Sequence, residues 1–302
     1  MAVQYYKQNR LKQLQAFCFA ARTGSISGAA GQLQLSQPAA TLLVQALEKH
    51  LDSQLFTRRG PRIQLTAAGE ILLQLALPLL EGFDDLTAVF HERCNQTLSG
   101  NLVIAGGESV TLYLLPEIVK QFTTLYPHIR LQLIHAAAGQ VVELIRTGAA
   151  DLAIGPLAEQ PGEVSYLPVT RIEPVLITPS DHPLGLMQRI SLEEICAYHL
   201  IMPPLNSPLR QVIDLVFQQK DLKYKVLMEA ASSEVSKKYV ETGLGIAIVT
   251  SICLTGKEKI SRISLRDFFP ASSYGIIVRH DKYLSPAARH FMELVGVTIA
   301  DA

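Results

Sequence analysis

The stretch from residue 25 to 69 constrains this chain most, because it carries two helical patterns joined by a tight turn. The first apolar helix face is formed by Ala29, Ala30 and Leu33. Ser36 is then a good N-cap, and Pro38 fits a first helical turn. A second apolar stripe follows, made of Ala40, Leu43, Val44, Leu47 and Leu51. The pattern predicts a helix-turn-helix, whose second helix can lie in a DNA major groove.

A basic segment, LFTRRGPRIQLT, follows the second helix. It places Arg58, Arg59 and Arg62 around a Gly60-Pro61 turn. The alternation of polar and apolar residues over 62–65 is typical of a strand. We therefore predict a hairpin wing whose arginines contact DNA phosphates.

The stretch GSISGAAGQLQLSQPAATLLVQALEKHLDSQLFTRRGPRIQLTAAG resembles the N-terminal domain of LysR-type transcriptional regulators over about forty-five unbroken residues. Its SQPA…LE…LF.R….LT.AG skeleton is specific, whereas the alternative is a small helical bundle with an incidentally basic loop. The resemblance implies an α/β multidomain chain with three parts: a winged helix-turn-helix domain (1–66), a long dimerisation linker helix (67–98) and a periplasmic-binding-protein-like effector domain (99–302). The effector domain would have two subdomains, I at about 99–170 and 271–302, and II at about 171–270.

The predicted DNA-binding residues lie on the helix-turn-helix and the wing. They are Ser27, Gln37, Pro38, Thr41, Gln45, Arg58, Arg59 and Arg62. Thr41 and Gln45 can donate and accept hydrogen bonds, so they are candidates for base contacts. The chain departs from the family at Leu42, Leu43 and Gln45, where polar or basic residues are common. This departure removes expected phosphate or base contacts.

Charge is divided unevenly along the chain. The 302 residues hold 27 Lys+Arg and 27 Asp+Glu, yet residues 1–66 hold eight basic and only two acidic residues. A basic head on an acidic body favours nucleic-acid binding, although a solvated basic surface would also account for charge alone.

Cysteine spacing and hydropathy indicate the cellular compartment in which the protein is expected. Cys18, Cys94, Cys196 and Cys253 are far apart and have no metal-ligand or CxxC spacing, which favours reduced thiols. The sequence has no N-terminal signal pattern and no uncharged apolar run near 18 residues. We therefore expect a soluble cytoplasmic, nucleoid-associated protein with no membrane partner and no metal.

A long helix is predicted after Thr66, which is placed to cap it. Its apolar residues recur every three or four positions: Ile71, Leu72, Leu75, Leu79, Phe83, Leu86 and Phe90. Such a stripe suits a helix that packs along another helix. Pro78 predicts a kink rather than a stop. The alternative is a linker helix that folds back on its own domain.

From residue 99 onwards, strand and helix patterns alternate, which predicts a parallel sheet with βαβ crossovers. The predicted strands are 102–105, 129–135, 150–154, 173–178, 200–202, 226–230, 245–249 and 274–279. The predicted helices are 111–126, 139–147, 207–220, 233–241 and 285–295. This order resembles the two α/β halves of the family's effector domain.

Ligands of open α/β sheets sit beyond the carboxyl ends of the strands, where the next helix presents free N–H groups. Three such junctions carry hydroxyl or amide side chains, which favours a small anion such as a carboxylate, sulfate or phosphate ester. Two glycines after other strands would let backbone approach it. The predicted effector residues are Ser109, Val110, Thr111, Gly139, Gly155, Pro203, Leu205, Asn206, Ser207, Ser232 and Ser233. Each hydroxyl could instead be only an N-cap. Glu108, beside the expected anion, departs from the family; it either turns away or binds an amino or hydroxyl group of the ligand.

Other functional classes fit less well. The sequence has no HExxH, no GxSxG in a strand-turn-helix context and no P-loop, so an enzyme is not expected. A solute-binding protein fits 99–302 but not the basic N-terminal domain. The resemblance implies a regulator without a cofactor, apart from a small anionic co-inducer. Its implied partners are double-stranded operator DNA, a second copy in a homodimer or homotetramer, and RNA polymerase as a further candidate.

Overall fold

The described part of the N-terminal domain consists of three helices and a two-stranded hairpin. In the computed structural model the described residues are 9–59, 62–94, 97–157, 160–187, 189–280 and 282–297. The elements of this domain are α1 (Arg10–Thr23), α2 (Ile26–Gln32), α3 (Gln37–Leu51), β1 (Phe56–Arg59) and β2 (Arg62–Leu65). β1 and β2 pair antiparallel, so the predicted winged helix-turn-helix is confirmed.

Local capping explains why the chain turns between its helices. Ser25 Oγ accepts a hydrogen bond from the Gly28 N–H (3.3 Å), and Ser36 Oγ accepts one from the Ala39 N–H (3.4 Å). α2 packs closely on the end of α1: a Cβ added at Gly28 would lie only 2.6 Å from Thr23 Oγ1. The predicted stripe of α3 is buried except for its last member. Leu51 is 40% exposed, since it lies in the final turn beyond the core.

The linker is two helices rather than one. α4 (Ala67–Asp84) begins at Thr66, whose Oγ1 accepts a hydrogen bond from the Gly69 N–H at 3.0 Å. The break comes at Asp85, and α5 (Leu86–Arg93) follows. Pro78 lies inside α4 and does not end it; α4 instead stops at Asp84, six residues before the predicted stripe ends at Phe90. Among the described helices, none is long and apolar enough to cross a membrane.

The first sheet of the C-terminal part has the order β4-β3-β5-β12-β6. Its strands are β3 (Gly100–Gly106), β4 (Ile129–His135), β5 (Leu152–Pro156), β6 (Val164–Ile172) and β12 (Ser272–Arg279). β3 runs parallel to β4 and β5, as βαβ crossovers require, whereas β12 is antiparallel to β5 and β6. A core that includes Phe122 and Phe291 fills the space between this sheet and its helices.

The second sheet repeats this arrangement, with the order β11-β7-β10-β8-β9. Its strands are β7 (Pro174–Pro179), β8 (His199–Met202), β9 (Lys225–Glu229), β10 (Ile246–Thr250) and β11 (Ile260–Ser264). The chain crosses between the two sheets twice, from β6 to β7 and from β11 to β12. The predicted fold class, with two α/β halves, is therefore confirmed.

The helices of this part lie between consecutive strands, except for the last one, which follows β12. They are α6 (Leu115–Leu125), α7 (Ala138–Arg146), α8 (Leu192–Cys196), α9 (Pro208–Gln219), α10 (Ser233–Glu241) and α11 (Pro286–Val295). A single π-helical turn, Val110–Leu114, precedes α6. The helical segment therefore starts at Glu108, three residues before the predicted start.

Candidate DNA-binding surface and ligand cleft

One side of α3 stays exposed. Gln37, Pro38 and Gln45 are exposed and Thr41 is half-buried, so these four predicted DNA-binding residues share the outer face of the helix. An open groove of about 400 Å³ beside this face also touches the hairpin at Thr57. The outer face of α3 and the hairpin therefore line the same groove, as the arrangement of a winged helix-turn-helix requires.

The side chains on this face have specific roles. The Thr41 hydroxyl donates to Gln37 O at 2.9 Å, so it offers DNA an acceptor rather than a free donor. Gln45 is exposed, and no described residue forms a hydrogen bond with its side-chain amide, so its contact with base edges stays a prediction. Leu42 is 43% exposed, while Leu43 is fully buried in the core and cannot reach DNA. The departure from the family at Leu43 is therefore a packing feature, and only Leu42 changes the exposed surface.

The remaining predicted DNA-binding residues are Ser27, which is exposed on α2, and the three arginines of the hairpin. The backbone of Arg58, Arg59 and Arg62 belongs to β1 and β2. Their side chains lie outside the described part of the structure, as does the Gly60-Pro61 turn. The phosphate contacts of the wing therefore stay a prediction.

The outer face of the linker helices is apolar and open. Its large side chains are each 55–69% exposed: Ile71, Leu75, Leu79, Phe83, Leu86 and Phe90. They recur every three or four residues and form one stripe along α4 and α5. Leu72, predicted for the same stripe, packs instead on the core of the N-terminal domain.

The opposite face of the linker is acidic and holds the effector domain of the same chain. Glu70, Glu81 and Glu92 follow one another at intervals of eleven residues, which is close to three helical turns. Glu70 pairs with Arg146, and Glu92 pairs with Arg289 at 2.8 Å. Each glutamate therefore fixes a different point of the effector domain. This three-glutamate face has no counterpart in our sequence prediction.

Glu81 makes the most enclosed of these contacts. Its carboxylate accepts hydrogen bonds from Arg279 at 2.6 and 3.2 Å and from Lys282 at 3.2 Å. The side chains of Arg279 and Lys282 are 5% and 4% exposed. Lys282 also reaches Asp151 at 3.1 Å. Nearby, burial and the Asp151 charge raise the pKa of Asp85 to about 6.

A cleft of about 180 Å³ opens between the two subdomains. One wall comes from the segment after β3 and from the ends of β5 and β12, while the other comes from the segments after β8 and β9 and from the end of β10. Five of the predicted effector residues line it: Ser109, Pro203, Ser207, Ser232 and Ser233. The sequence-based expectation that separate strand ends converge therefore agrees with the geometry at these five positions.

The serine hydroxyls of the cleft are caps as well as lining groups. Ser207 Oγ accepts a hydrogen bond from the Arg210 N–H at 3.1 Å, and Ser232 Oγ accepts one from the Val235 N–H at 3.4 Å. Ser109 Oγ accepts a weak hydrogen bond from the Cys253 thiol at 3.4 Å. Each hydroxyl oxygen is thus used as an acceptor, which leaves its proton available for an acceptor in the cleft.

Six predicted effector residues lie outside the cleft wall: Val110, Thr111, Gly139, Gly155, Leu205 and Asn206. Val110 is buried in the core of the first subdomain. The Thr111 hydroxyl donates to Gly107 O at 3.0 Å, because the helix begins one turn earlier than predicted. Leu205 and Asn206 are exposed to solvent, and Gly155 pairs with Gly275 inside the sheet.

The cleft also contains Glu108, which the sequence placed beside the expected anion, and three side chains that the sequence did not assign to it: Ser236, Thr250 and Tyr274. Tyr274 comes from β12, far along the chain, so no local pattern could place it there. Burial raises the pKa of Tyr274 to about 12, with a further contribution from Cys253. Its phenol therefore stays protonated at neutral pH and can donate a hydrogen bond.

A buried lysine connects the two subdomains behind the cleft. Lys237 Nζ, on α10, lies 2.8 Å from the Tyr113 hydroxyl of the opposite subdomain and 2.6 Å from Cys253 O. Glu234 and Glu258 pair with it at 2.7 and 3.1 Å. Burial alone would raise the pKa of Glu258, but hydrogen bonds from the Thr255 N–H and from Lys237 lower it to about 2.

Comparison with known proteins identifies two regions of the chain. The family model for bacterial regulatory helix-turn-helix proteins of the lysR family matches residues 11–70. The model for the LysR substrate binding domain matches residues 95–297, which is more than half of the chain. This chain belongs to the LysR family of transcriptional regulators.

Relatives of this LysR-family regulator are similar over nearly their whole length. The HTH-type transcriptional regulator cbl of Escherichia coli is 30% identical over 92% of this chain and 89% of the relative. A probable RuBisCO transcriptional regulator of Synechocystis sp. is 32% identical over 94% of this chain and 85% of the relative. These relatives are regulators, so the expectation of a non-enzymatic protein is confirmed.

Solved structures support the same fold. The cofactor-binding domain of the Cbl regulator is 30% identical with a TM-score of 0.61, covering 65% of this chain and 88% of that domain. Full-length OxyR from Pseudomonas aeruginosa is 21% identical with a TM-score of 0.76, covering 95% and 93%. At that identity OxyR shows the fold alone. Within the described ranges, no cluster of His, Cys, Asp and Glu side chains is arranged to hold a metal ion.

Proposed function

We propose that this LysR-family regulator senses a small acid, which it binds as an anion in the cleft between the two effector subdomains. The observation that carries this proposal is the convergence of Ser109, Ser207 and Ser232 on one cavity. Each lies at the start of a helical segment, where N–H groups lack helical partners and the helix dipole is positive. The three free hydroxyl protons and the neutral Tyr274 phenol add further donors for an anion.

The volume of the cleft limits the size of the ligand. At about 180 Å³ it is smaller than the roughly 300–1,000 Å³ that is typical of sites for drug-sized ligands. Binding there would bridge the two subdomains and change their relative placement. Because the effector domain contacts the linker through Glu70, Glu81 and Glu92, that change would be felt by the DNA-binding domain, as a coupling free energy between the two sites.

We further propose that a second copy of the chain covers the apolar face of the linker. Leu75 and Leu79 are 64% and 69% exposed, in a stripe of six large apolar side chains. An exposed face of this kind marks an interaction site, and a stripe with a helical period fits a partner helix of the same type. Pairing two copies would place two helix-turn-helix domains on one operator.

A calorimetric experiment on the full-length protein tests the cleft. Small carboxylates, sulfate and phosphate esters are titrated into the wild type and into Ser232→Ala. Loss of one charge-assisted hydrogen bond should weaken binding by about 1.5–3 kcal/mol. Ser191→Ala is the matched control, because Ser191 caps α8 through Glu194 N at 3.3 Å outside the cleft. If both variants bind every ligand like the wild type, the site is elsewhere.

A further inference from the structure

The cleft contains an acidic group as well as donors for an anion. Of the described residues that line it, Glu108 alone carries a formal charge. Glu108 follows β3 directly and lies beside Ser109 in the first turn of its helix. It is partly exposed, and no described residue forms a hydrogen bond or ion pair with its side chain. A ligand in the cleft therefore meets an uncompensated carboxylate.

The two cations behind the cleft wall do not neutralise Glu108, because each already has two carboxylate partners. Arg210 pairs with Asp214 at 2.9 Å and lies 3.6 Å from Glu229, and its guanidinium also donates to Pro203 O at 3.1 Å. Lys237 is held by Glu234 and Glu258, as described above. Among the described residues, the positive side of the site consists of neutral donors and helix starts.

A simple anion would be a poor match for this arrangement. The hydroxyls and N–H groups attract its charge, but Glu108 repels it, and the repulsion is stronger in a partly enclosed cleft than in water. A ligand with a cationic amine near its acid group satisfies both features, because the amine can donate charge-assisted hydrogen bonds to Glu108.

We infer that the effector is a small zwitterion, an amine-bearing acid of the amino-acid class, with its acid group on the serine donors and its ammonium group on Glu108. This inference rests on the proposed function, because it takes the cleft as the effector site. Glu108 is then the residue that selects an amine-bearing acid over the corresponding hydroxy acid or unsubstituted acid.

The alternative is a purely structural role for Glu108. A carboxylate in the first turn of a helix interacts favourably with the helix dipole, which stabilises a helix by about 0.3–1 kcal/mol. Glu193 offers the same interaction in the first turn of α8, where it is exposed and outside the cleft. Glu193→Gln is therefore the matched control for Glu108→Gln.

The test is calorimetry on the full-length protein with three-carbon and four-carbon acids that differ at one position. L-alanine is compared with L-lactate and propanoate, and L-aspartate with L-malate and succinate; the other proteinogenic amino acids extend the amine-bearing arm. The proposal predicts tighter binding of at least one amine-bearing acid than of its matched partners. Glu108→Gln should weaken that binding by at least about ten-fold, whereas Glu193→Gln and Glu108→Asp should retain the preference.

Sulfate has no amine, so Glu108→Gln should not weaken its binding as it weakens the binding of an amine-bearing acid. Removing the negative charge at Glu108 should leave sulfate binding unchanged or tighter, above all at low ionic strength. The inference is overturned if no amine-bearing acid binds, if hydroxy acids or unsubstituted acids bind as tightly, or if Glu108→Gln leaves the preference for the amine intact. If the zwitterion inference is overturned in one of these ways, the proposed function still stands when Ser232→Ala weakens the binding of a simple anion. The proposed function is refuted when ligands bind but Ser232→Ala has no effect on their affinity.

Discussion

Replacing Glu81 by glutamine should loosen the effector domain from the linker helix. Glu81 holds both Arg279 and Lys282 in a contact from which water is largely excluded, since their side chains are 5% and 4% exposed. Glutamine keeps the size of the side chain but removes its charge. Arg279 then loses its carboxylate at two nitrogens, and its Nε already has no partner among the described residues.

The size of the effect follows from the partners that remain. Removing one member of a buried ion pair costs about 3–5 kcal/mol, because the other charge is left without compensation. Lys282 keeps Asp151 at 3.1 Å, which places the expected loss near the lower end, at about 3 kcal/mol. Asp267→Asn is the control, because its pair with Arg266 is 3.9 Å long and exposed on both sides. Exposed pairs contribute about 0–1 kcal/mol.

Urea unfolding followed by circular dichroism measures this loss. A multidomain chain need not unfold in one step, so the midpoint of the first transition is compared between variants. The double variant Glu81→Gln, Arg279→Gln should lose less than the sum of the two single variants, because the two side chains share one interaction. A Glu81→Gln protein with an unchanged first midpoint, or losses that simply add, would refute the ion-pair account of this interface.

Three further predictions concern DNA, assembly and pH. Alanine at Arg58, Arg59 and Arg62 together should weaken binding to all DNA sequences alike and make the dependence on salt shallower, measured by fluorescence anisotropy; an unchanged salt slope would remove the wing from the interface. Leu79→Asp should give a smaller species in light scattering and reduce operator binding, whereas Leu186→Asp, on an equally exposed leucine outside the linker, should not; a monomeric wild type would contradict the dimer. Asp85→Asn should raise the melting temperature at pH 7.5 but not at pH 4. Burial and the charge of Asp151 raise the pKa of Asp85 to about 6, so its stabilising contribution is full below the unfolded pKa and is lost as the pH rises through 6. Because the carboxyl is partly exposed, the gain at pH 7.5 should be about 1 kcal/mol, and an equal gain at both pH values would show that Asp85 is not the titrating group.

The N-terminal domain could be predicted closely because its signals are local. Ser36 caps α3 within one turn. The Gly60-Pro61 dipeptide predicts the hairpin from local sequence alone. The apolar stripe of the linker was also visible, but the break at Asp85 was not. Neither Asp84 nor Asp85 is a strong breaker by itself, and the sequence favoured Pro78 as the point of distortion.

The cleft could be predicted only where a helix start carried a hydroxyl, as at Ser207 and Ser232. Thr111 failed because the π-helical turn shifts the helix start to Glu108 and turns the Thr111 hydroxyl to Gly107 O. Tyr274 could not be found, because it lies inside the strand β12 and not at the start of a helix. The strands β6 and β11 were missed for local reasons: Pro168 interrupts the apolar pattern of β6, and the sequence ISRIS of β11 lacks the period-two alternation of a strand.

Hydrogen exchange on the full-length protein tests most directly whether the cleft is where this regulator senses its ligand. Exchange is measured with and without the tightest-binding acid of the calorimetric panel. We predict slower exchange together at three separate segments, the helix starts at Ser109, Ser207 and Ser232, with a smaller change in the linker at Glu81. Protection confined to other segments, with these three unchanged, would contradict the placement of the effector between the two subdomains.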